Sequence, residues 1–272
     1  MQVLTLNVAQ LPSIFNEFAR GDRRLHAVCD VLLAWSGLHV ICLQELYTAA
    51  AREIVMTRTH IQFPYQYFDD RNINSGLAII SNIPFTQIPL YTFTNKRNTD
   101  YFVRKGLMGI RLSIEPSLQE HIESFYIFNT QLQGNYDTAL CACFGSFTAA
   151  QVRELQTIEL ANFIQPIVTS APAGKSLVIV CGDTSIASRT SEYSTFQEHL
   201  REVFPHVRDP FNIHITDLVY SNENNQRVDY ILLLQCPVLV DAQCIIPRNP
   251  LESYENTKHV PVVLQLRLIK QI

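Results

Sequence analysis

Short β-branched apolar runs alternate with amphipathic stretches from one end of the chain to the other. The runs predict strands at Val3–Val8, Val40–Gln44, Gly76–Ser81, Gln87–Phe93, Leu107–Ile114, Phe125–Thr130, Leu177–Cys181, Val228–Leu234, Val238–Cys244 and Val260–Leu268. Helices are predicted at about Arg23–Trp35, Thr48–Arg58, Thr148–Ile164 and Ser194–Val203. In Thr148–Ile164, Val152, Leu155, Ile158, Leu160 and Phe163 keep a roughly helical period, so Arg153, Glu154 and Glu159 should face elsewhere. Several strands follow one another with no helix between them. That argues for mixed sheets in an α/β chain rather than a regular parallel winding. No repeat, low-complexity run or Pro/Gly-rich linker divides the sequence, so residues 1–272 read as one domain.

The residues at the ends of the apolar runs carry the chemistry. LTLN stops at Asn7, VICLQE at Glu45 and LVIVCGD at Asp183. RVDYILLL opens around Asp229, and His259 directly precedes the last strand. In a mixed sheet, the ends of some strands share an edge with the starts of their antiparallel neighbours. Two carboxylates from strand ends, one from a strand start, an amide and an imidazole can therefore converge there. Singly each residue is ordinary: Asn7 as a turn former, Glu45 at a helix start, Asp183 after Gly182 in a turn. The ordered set is what points to a site. The basic stretch Asn95–Arg104, with Lys96, Arg97 and Arg104, reads as a solvated loop.

Composition narrows the choice of partner. At 272 residues and 47 % apolar content the chain can bury a continuous core. A net charge of −4 advertises no global basic field, which weighs against nucleic acid. The seven cysteines are odd in number and scattered, several inside apolar runs. They fit a chain made in a reducing compartment. Cys141 and Cys143 form a C-x-C with no second pair at zinc spacing. The chain opens on the strand-like MQVLTLNV without a basic-then-apolar leader, and no run reaches the ~18 apolar residues of a membrane span. Cytoplasmic synthesis is the expectation, with signal-independent secretion left open.

Read in order, the segments LTLNVAQLP, ICLQEL, SGLAIISNIPF, RKGLMGIRL, FNTQLQ, QVRELQTIEL, VIVCGDTS, RVDYILLL and TKHVPVVLQLRL resemble the endonuclease/exonuclease/phosphatase superfamily. Within it they resemble the neutral-sphingomyelinase-like phosphodiesterases. The resemblance implies a four-layer sandwich, two mixed β-sheets packed face to face with helices on both outer sides. It also implies Mg²⁺-assisted attack on a phosphodiester, whose own negative charge must be neutralised before water can reach it. Glu45 would be the principal metal ligand with Asn7 beside it. Asp183 would orient the attacking water, and His259 would be the general base, oriented by Asp229. Lys105, in a Lys-Gly pair, would contact phosphate or else serve structure at a strand start.

Three positions depart from the family pattern. Gln131 stands in Asn-Thr-Gln-Leu-Gln where the family has a catalytic histidine. Ser185 stands where Gly-Asp-x-Asn supplies a phosphate-facing amide. Lys258 stands where Ser-Asp-His supplies an acid, and it reverses a charge at the metal site. Its ammonium is expected near Glu45 or Asp183, or else in solvent. The first reading is therefore a degenerate homologue, with lost or much reduced turnover, that acts by binding a partner such as a protein. The second is a divergent phosphodiesterase that uses Mg²⁺ on a phospholipid or another phosphodiester. The third is a nuclease or nucleic-acid binder. On the first reading no metal is required.

Overall fold

The computed structural model describes residues 1–10, 18–115, 122–135, 147–170, 174–210, 227–237, 240–245 and 259–268. The first half of the chain gives β1 (Gln2–Gln10), α1 (Phe18–Ala34), β2 (Val40–Leu46), α2 (Ala49–Thr59), β3 (Tyr65–Phe68), β4 (Ala78–Ser81), β5 (Phe85–Thr92) and β6 (Gly106–Leu112). The second half gives β7 (Ser124–Gln131), α3 (Ala149–Val168), β8 (Ser176–Asp183), α4 (Ser191–Val203), β9 (Asp229–Gln235), β10 (Val240–Ile245) and β11 (Val262–Leu268). One sheet has the order β10-β11-β1-β2-β4-β3 and the other β5-β6-β7-β8-β9. Both are mixed: β1 pairs parallel with β2 and β7 with β8, and the remaining pairs are antiparallel.

Period-two alternation builds the layers. In β1, Leu4, Leu6 and Val8 pack outward with Leu25, Val28 and Leu32 of α1, whereas Val3 joins the core between the sheets. In β8, Leu177, Ile179 and Cys181 face inward while Val178 and Val180 pack under α3 and α4. The result is helix, sheet, sheet, helix, the four layers that the resemblance implies. Threonine N-caps start α2, α3 and α4, each accepting a backbone N–H from the first turn. Among the described residues no helix is long and apolar enough to cross a membrane.

The structure corrects several expectations. β3 is not among the expected strands: its four residues, YQYF, are too short a run to stand out, although their aromatics suit a strand. α3 runs past Ile164 through Pro166 to Val168. Pro166 has no N–H to donate to the Asn162 carbonyl, so one bond is missing from the last turns of the helix. The buried face of α3 keeps the predicted Val152 and Leu160 but is rotated from the rest. Arg153 is buried and Ile158 is exposed, because Arg153 donates to the Gln133 carbonyl and the Asn135 amide oxygen and pairs with Glu192. The stretch Asn95–Arg104 is not merely solvated. It contains a 3₁₀ turn, Asn98–Phe102, whose Asn98 and Asp100 are buried. Cys141, Cys143 and the opening of the strand predicted from Val238 lie outside the described residues.

Candidate active site

The same alternation turns the inner faces polar toward one end of the sandwich. Along β8 the inward series runs Leu177, Ile179, Cys181, Asp183; along β9, from its far end, it runs Leu233, Ile231, Asp229. Strand register then sets three of these residues in a row, because Gln131 of β7 pairs with Asp183 of β8, which pairs with Asp229 of β9. From the facing sheet, the Asn7 amide donates to Asp183 Oδ2 at 2.9 Å. Its own Oδ1 accepts the Ala9 N–H. Just behind the row, Gln44 Nε2 donates to Asn129 Oδ1 and Thr5 Oγ1, while Asn129 Nδ2 donates to the carbonyls of Leu43 and Ala78. These bonds tie one sheet to the other with every residue fully buried.

Glu45 reaches the site by an irregular path. Simple alternation would place it with Ile41 and Leu43 against the helices. Its φ of 61° and the register shift between β1 and β2 swing it into the cleft instead. There Glu45 Oε1 accepts Gln131 Nε2 at 2.8 Å, and the Tyr47 hydroxyl donates to Gln131 Oε1 at 3.1 Å. The structure thus brings Asn7, Glu45, Gln131, Asp183, Asp229 and His259 to one edge. Sequence reasoning missed Tyr47, and missed Arg24, whose guanidinium donates to the Val8 and Ala9 carbonyls beside Asn7. No local pattern marks either residue.

His259 lies at the start of the last described segment, ahead of β11. Its Nδ1 is 2.7 Å from Asp229 Oδ2, and its Nε2 is 4.0 Å from Asp183 Oδ2. Burial opposes a charged imidazole, but Asp229, Asp183 and Glu45 together outweigh it and push His259 up to about 10. Full burial likewise favours a protonated Asp229, so the pair retains a proton between its two sites. Asp229 is positioned by the segment before it. Arg227 pairs with Asp209 and stacks on Tyr230 at 4.3 Å, and Tyr193 donates to Asp209 while stacking on Tyr230.

Ser185 has a left-handed backbone, φ 54°, and both its N–H and its hydroxyl are directed at Asp183 Oδ1, at 2.8 and 3.2 Å. Lys105 is placed in the interior. Its ammonium lies 3.0 Å from Asp100 Oδ2 and donates to the Leu132 carbonyl. Lys258 lies outside the described residues.

The groups at this edge suit a hard cation. Carboxylate and amide oxygens dominate, and the donor atoms of Asp183, Asp229 and His259 lie within 4.8 Å of one another. Asp229 Oδ1 is enclosed without a hydrogen-bond partner, an arrangement a cation would relieve.

Two facing mixed sheets thus gather carboxylates, an amide and a His–Asp pair at one edge. Residues 4–233 match the Endonuclease/Exonuclease/phosphatase family, and the chain belongs to it; the relatives it resembles include sphingomyelinases. Human sphingomyelin phosphodiesterase 3 is 26% identical over 190 residues, which are 64% of this chain and 28% of that relative. The chain thus spans under a third of the relative's length. Sphingomyelinase C from Streptomyces griseocarneus superposes with a TM-score of 0.72 over 97% of this chain and 98% of that one, at 16% identity. Beta toxin from Staphylococcus aureus, a mutant with bound magnesium ions, gives the same TM-score, coverage and identity.

Proposed function

We propose that this chain is a sphingomyelinase-like phosphodiester-binding protein, with a phospholipid headgroup as its ligand and turnover far below that of a complete family member. The observation that carries the reading is the state of Gln131. By resemblance it occupies the catalytic histidine's place, yet its carboxamide is neutral and engaged by Glu45 and Tyr47. A carboxamide can donate a hydrogen bond to phosphate but brings no positive charge to the transition state. Ser185, turned back on Asp183, replaces a reaching amide with a short hydroxyl already in use.

By resemblance Glu45 and Asn7 would hold Mg²⁺, with the carboxylates of Asp183 and Asp229 beside them, and the ion would neutralise the phosphate. Around it the protein's own groups position the ligand. Asn7 and Ser185 fix Asp183, Asp229 fixes the imidazole, and Tyr47 fixes Gln131. One observation favours the second reading, a working divergent phosphodiesterase: the His259–Asp229 hydrogen bond is intact at 2.7 Å.

Assays with Mg²⁺ or Mn²⁺ on choline phospholipids and on DNA separate the readings. The expected result is headgroup binding with feeble turnover of the phospholipid and none of DNA, and a gain of about 10² in rate for Gln131→His. Lys258→Asp, which returns an acid next to His259, should tighten Mg²⁺ about tenfold by titration calorimetry. Robust hydrolysis by the unmodified chain that vanishes in Glu45→Ala overturns the binding reading in favour of the enzyme.

A further inference from the structure

Among the described residues the two sheets end on four outer strands, β10, β3, β5 and β9, and three of these have a blunted edge. β9 exchanges two backbone bonds of 2.9 Å with Arg208, and on β10 the Cys244 N–H donates to the Pro210 carbonyl. β5 carries Pro89 and a register shift between Ile88 and Tyr91, both of which disturb a further ladder. β3, Tyr65–Phe68, has neither cover nor proline. Its register with β4 fixes which backbone groups are spare. The Asp69 N–H donates to the Leu77 carbonyl, so by antiparallel alternation Tyr67 and Tyr65 also turn their backbone groups toward β4. Gln66 and Phe68 then direct two N–H groups and two carbonyls outward, where no further strand follows among the described residues.

The strand is fixed from both faces. Gln66 Nε2 donates to Thr59 Oγ1 and the Phe63 carbonyl on the helix side, and the Tyr67 hydroxyl donates to the Ile88 carbonyl of the other sheet. A groove of about 550 Å³ lies beside it. Ala49, Arg52, Glu53 and Met56 line it from α2, one helix face by their spacing of three and four, and Gln87 lines it from β5. Met56 is exposed there and offers apolar contact. The lining carries one cation against two acids. Arg52 is turned to the Leu46 and Tyr47 carbonyls, and nearby Arg71 is held by Asp69 through two bonds of 2.7 Å. Glu53 and Asp70 are exposed and make no ion pair or hydrogen bond among the described residues.

We propose that this groove binds an extended basic peptide of a partner protein, added to the sheet as a further strand beside β3. The spare groups of Gln66 and Phe68 supply main-chain bonds to any sequence. Alternate side chains of the peptide enter the groove, where a lysine or arginine meets Glu53 and Asp70 and an apolar residue meets Met56. A second copy of this chain is the poorer occupant, because pairing β3 with itself about a two-fold axis brings two acidic grooves together. None of Glu45, Gln131, Asp183, Asp229 and His259 lines the groove, so the inference stands whether or not the chain turns over a phosphodiester.

Fluorescence anisotropy with a labelled, end-blocked peptide of alternating valine and lysine tests the proposal on the whole chain. Binding should saturate below about 1 mM, and glutamate in place of lysine should weaken it about tenfold at low salt. That difference should fade toward ~1 M salt as the Debye length shrinks to ~3 Å. N-methylation of one alternate set of peptide amides should abolish binding, and of the other set should leave it intact, because only one set faces β3. Glu53→Lys with Asp70→Lys should weaken binding about tenfold at an unchanged melting temperature, both side chains being exposed. Hydrogen exchange at the Gln66 and Phe68 amides should slow in the complex. No binding at about 1 mM, equal binding of the lysine and glutamate peptides, or equal effects of the two methylated sets overturns the proposal. So does peptide binding that leaves exchange at Gln66 and Phe68 unchanged. A dimer in sedimentation velocity that Gln66→Pro dissociates assigns the edge to a second copy of the chain and overturns it too.

Discussion

The two ends of the sandwich use the same strands and the same inner faces to opposite effect. At the end remote from the site Val3, Val40, Leu112, Phe125, Leu177 and Leu266 present apolar side chains, and the last four line an open cavity. At the other end the same faces present Asn7, Gln131, Asp183 and Asp229. Backbone strain follows the chemistry. Among the described residues, the non-glycine positions with positive φ are Ala9, Glu45, Asn98, Ser185 and Arg189, which lie at the polar end or in the loops leaving it. Apolar contact shapes the far end, whereas the polar end holds unusual geometry that the surrounding hydrogen bonds must impose. The lesson is that the site is built as a termination of the core.

The largest test of that contrast is Gly182→Ala. Gly182 has φ 143°, and a Cβ there would sit 1.9 Å from the Thr130 carbonyl oxygen of β7, beside Asp183. Strain and overpacking together should cost about 3–5 kcal/mol, read as a lowered urea midpoint. A loss below about 1 kcal/mol would mean that the polar end yields easily and the contrast is weaker than drawn.

Asn129→Leu comes next. It removes the amide that joins Gln44 to the carbonyls of Leu43 and Ala78, leaving buried polar groups unpaired between the sheets. A destabilisation of about 2–3 kcal/mol is expected in urea. A neutral result would show that the sheets are held by apolar contact alone.

The smallest effect is one of pH, measured with chelator present. His259 is raised from its ordinary 6.5 to about 10 in the folded chain. Its contribution is therefore fully present below the ordinary histidine value and is lost as pH rises through about 10. The urea midpoint should fall between neutral and alkaline pH, and Asp229→Asn should flatten that slope. A slope unchanged in Asp229→Asn would remove the pair as its source.

The sequence by itself determined the mixed sheets and the alternation along each strand, because a side-chain period of two is a property of the backbone and needs no partner; the four layers were implied by the resemblance. Asp183 and Asp229 could be placed at one edge from the ends of apolar runs, and the family from the order of the motifs. Tertiary structure decided the rest. Alternation puts Glu45 on the helix side, and a left-handed φ, held by contact with Gln131 across 86 residues of chain, brings it into the cleft. Arg153 looks like a surface residue until Gln133, Asn135 and Glu192 supply its partners. Lys105 looks available to phosphate until Asp100 joins it in the interior. In each case local pattern prescribes a direction, and a hydrogen bond to a residue remote in sequence overrules it. A buried polar group without a partner costs about 1–3 kcal/mol, enough to offset a strained backbone or a rotated helix face.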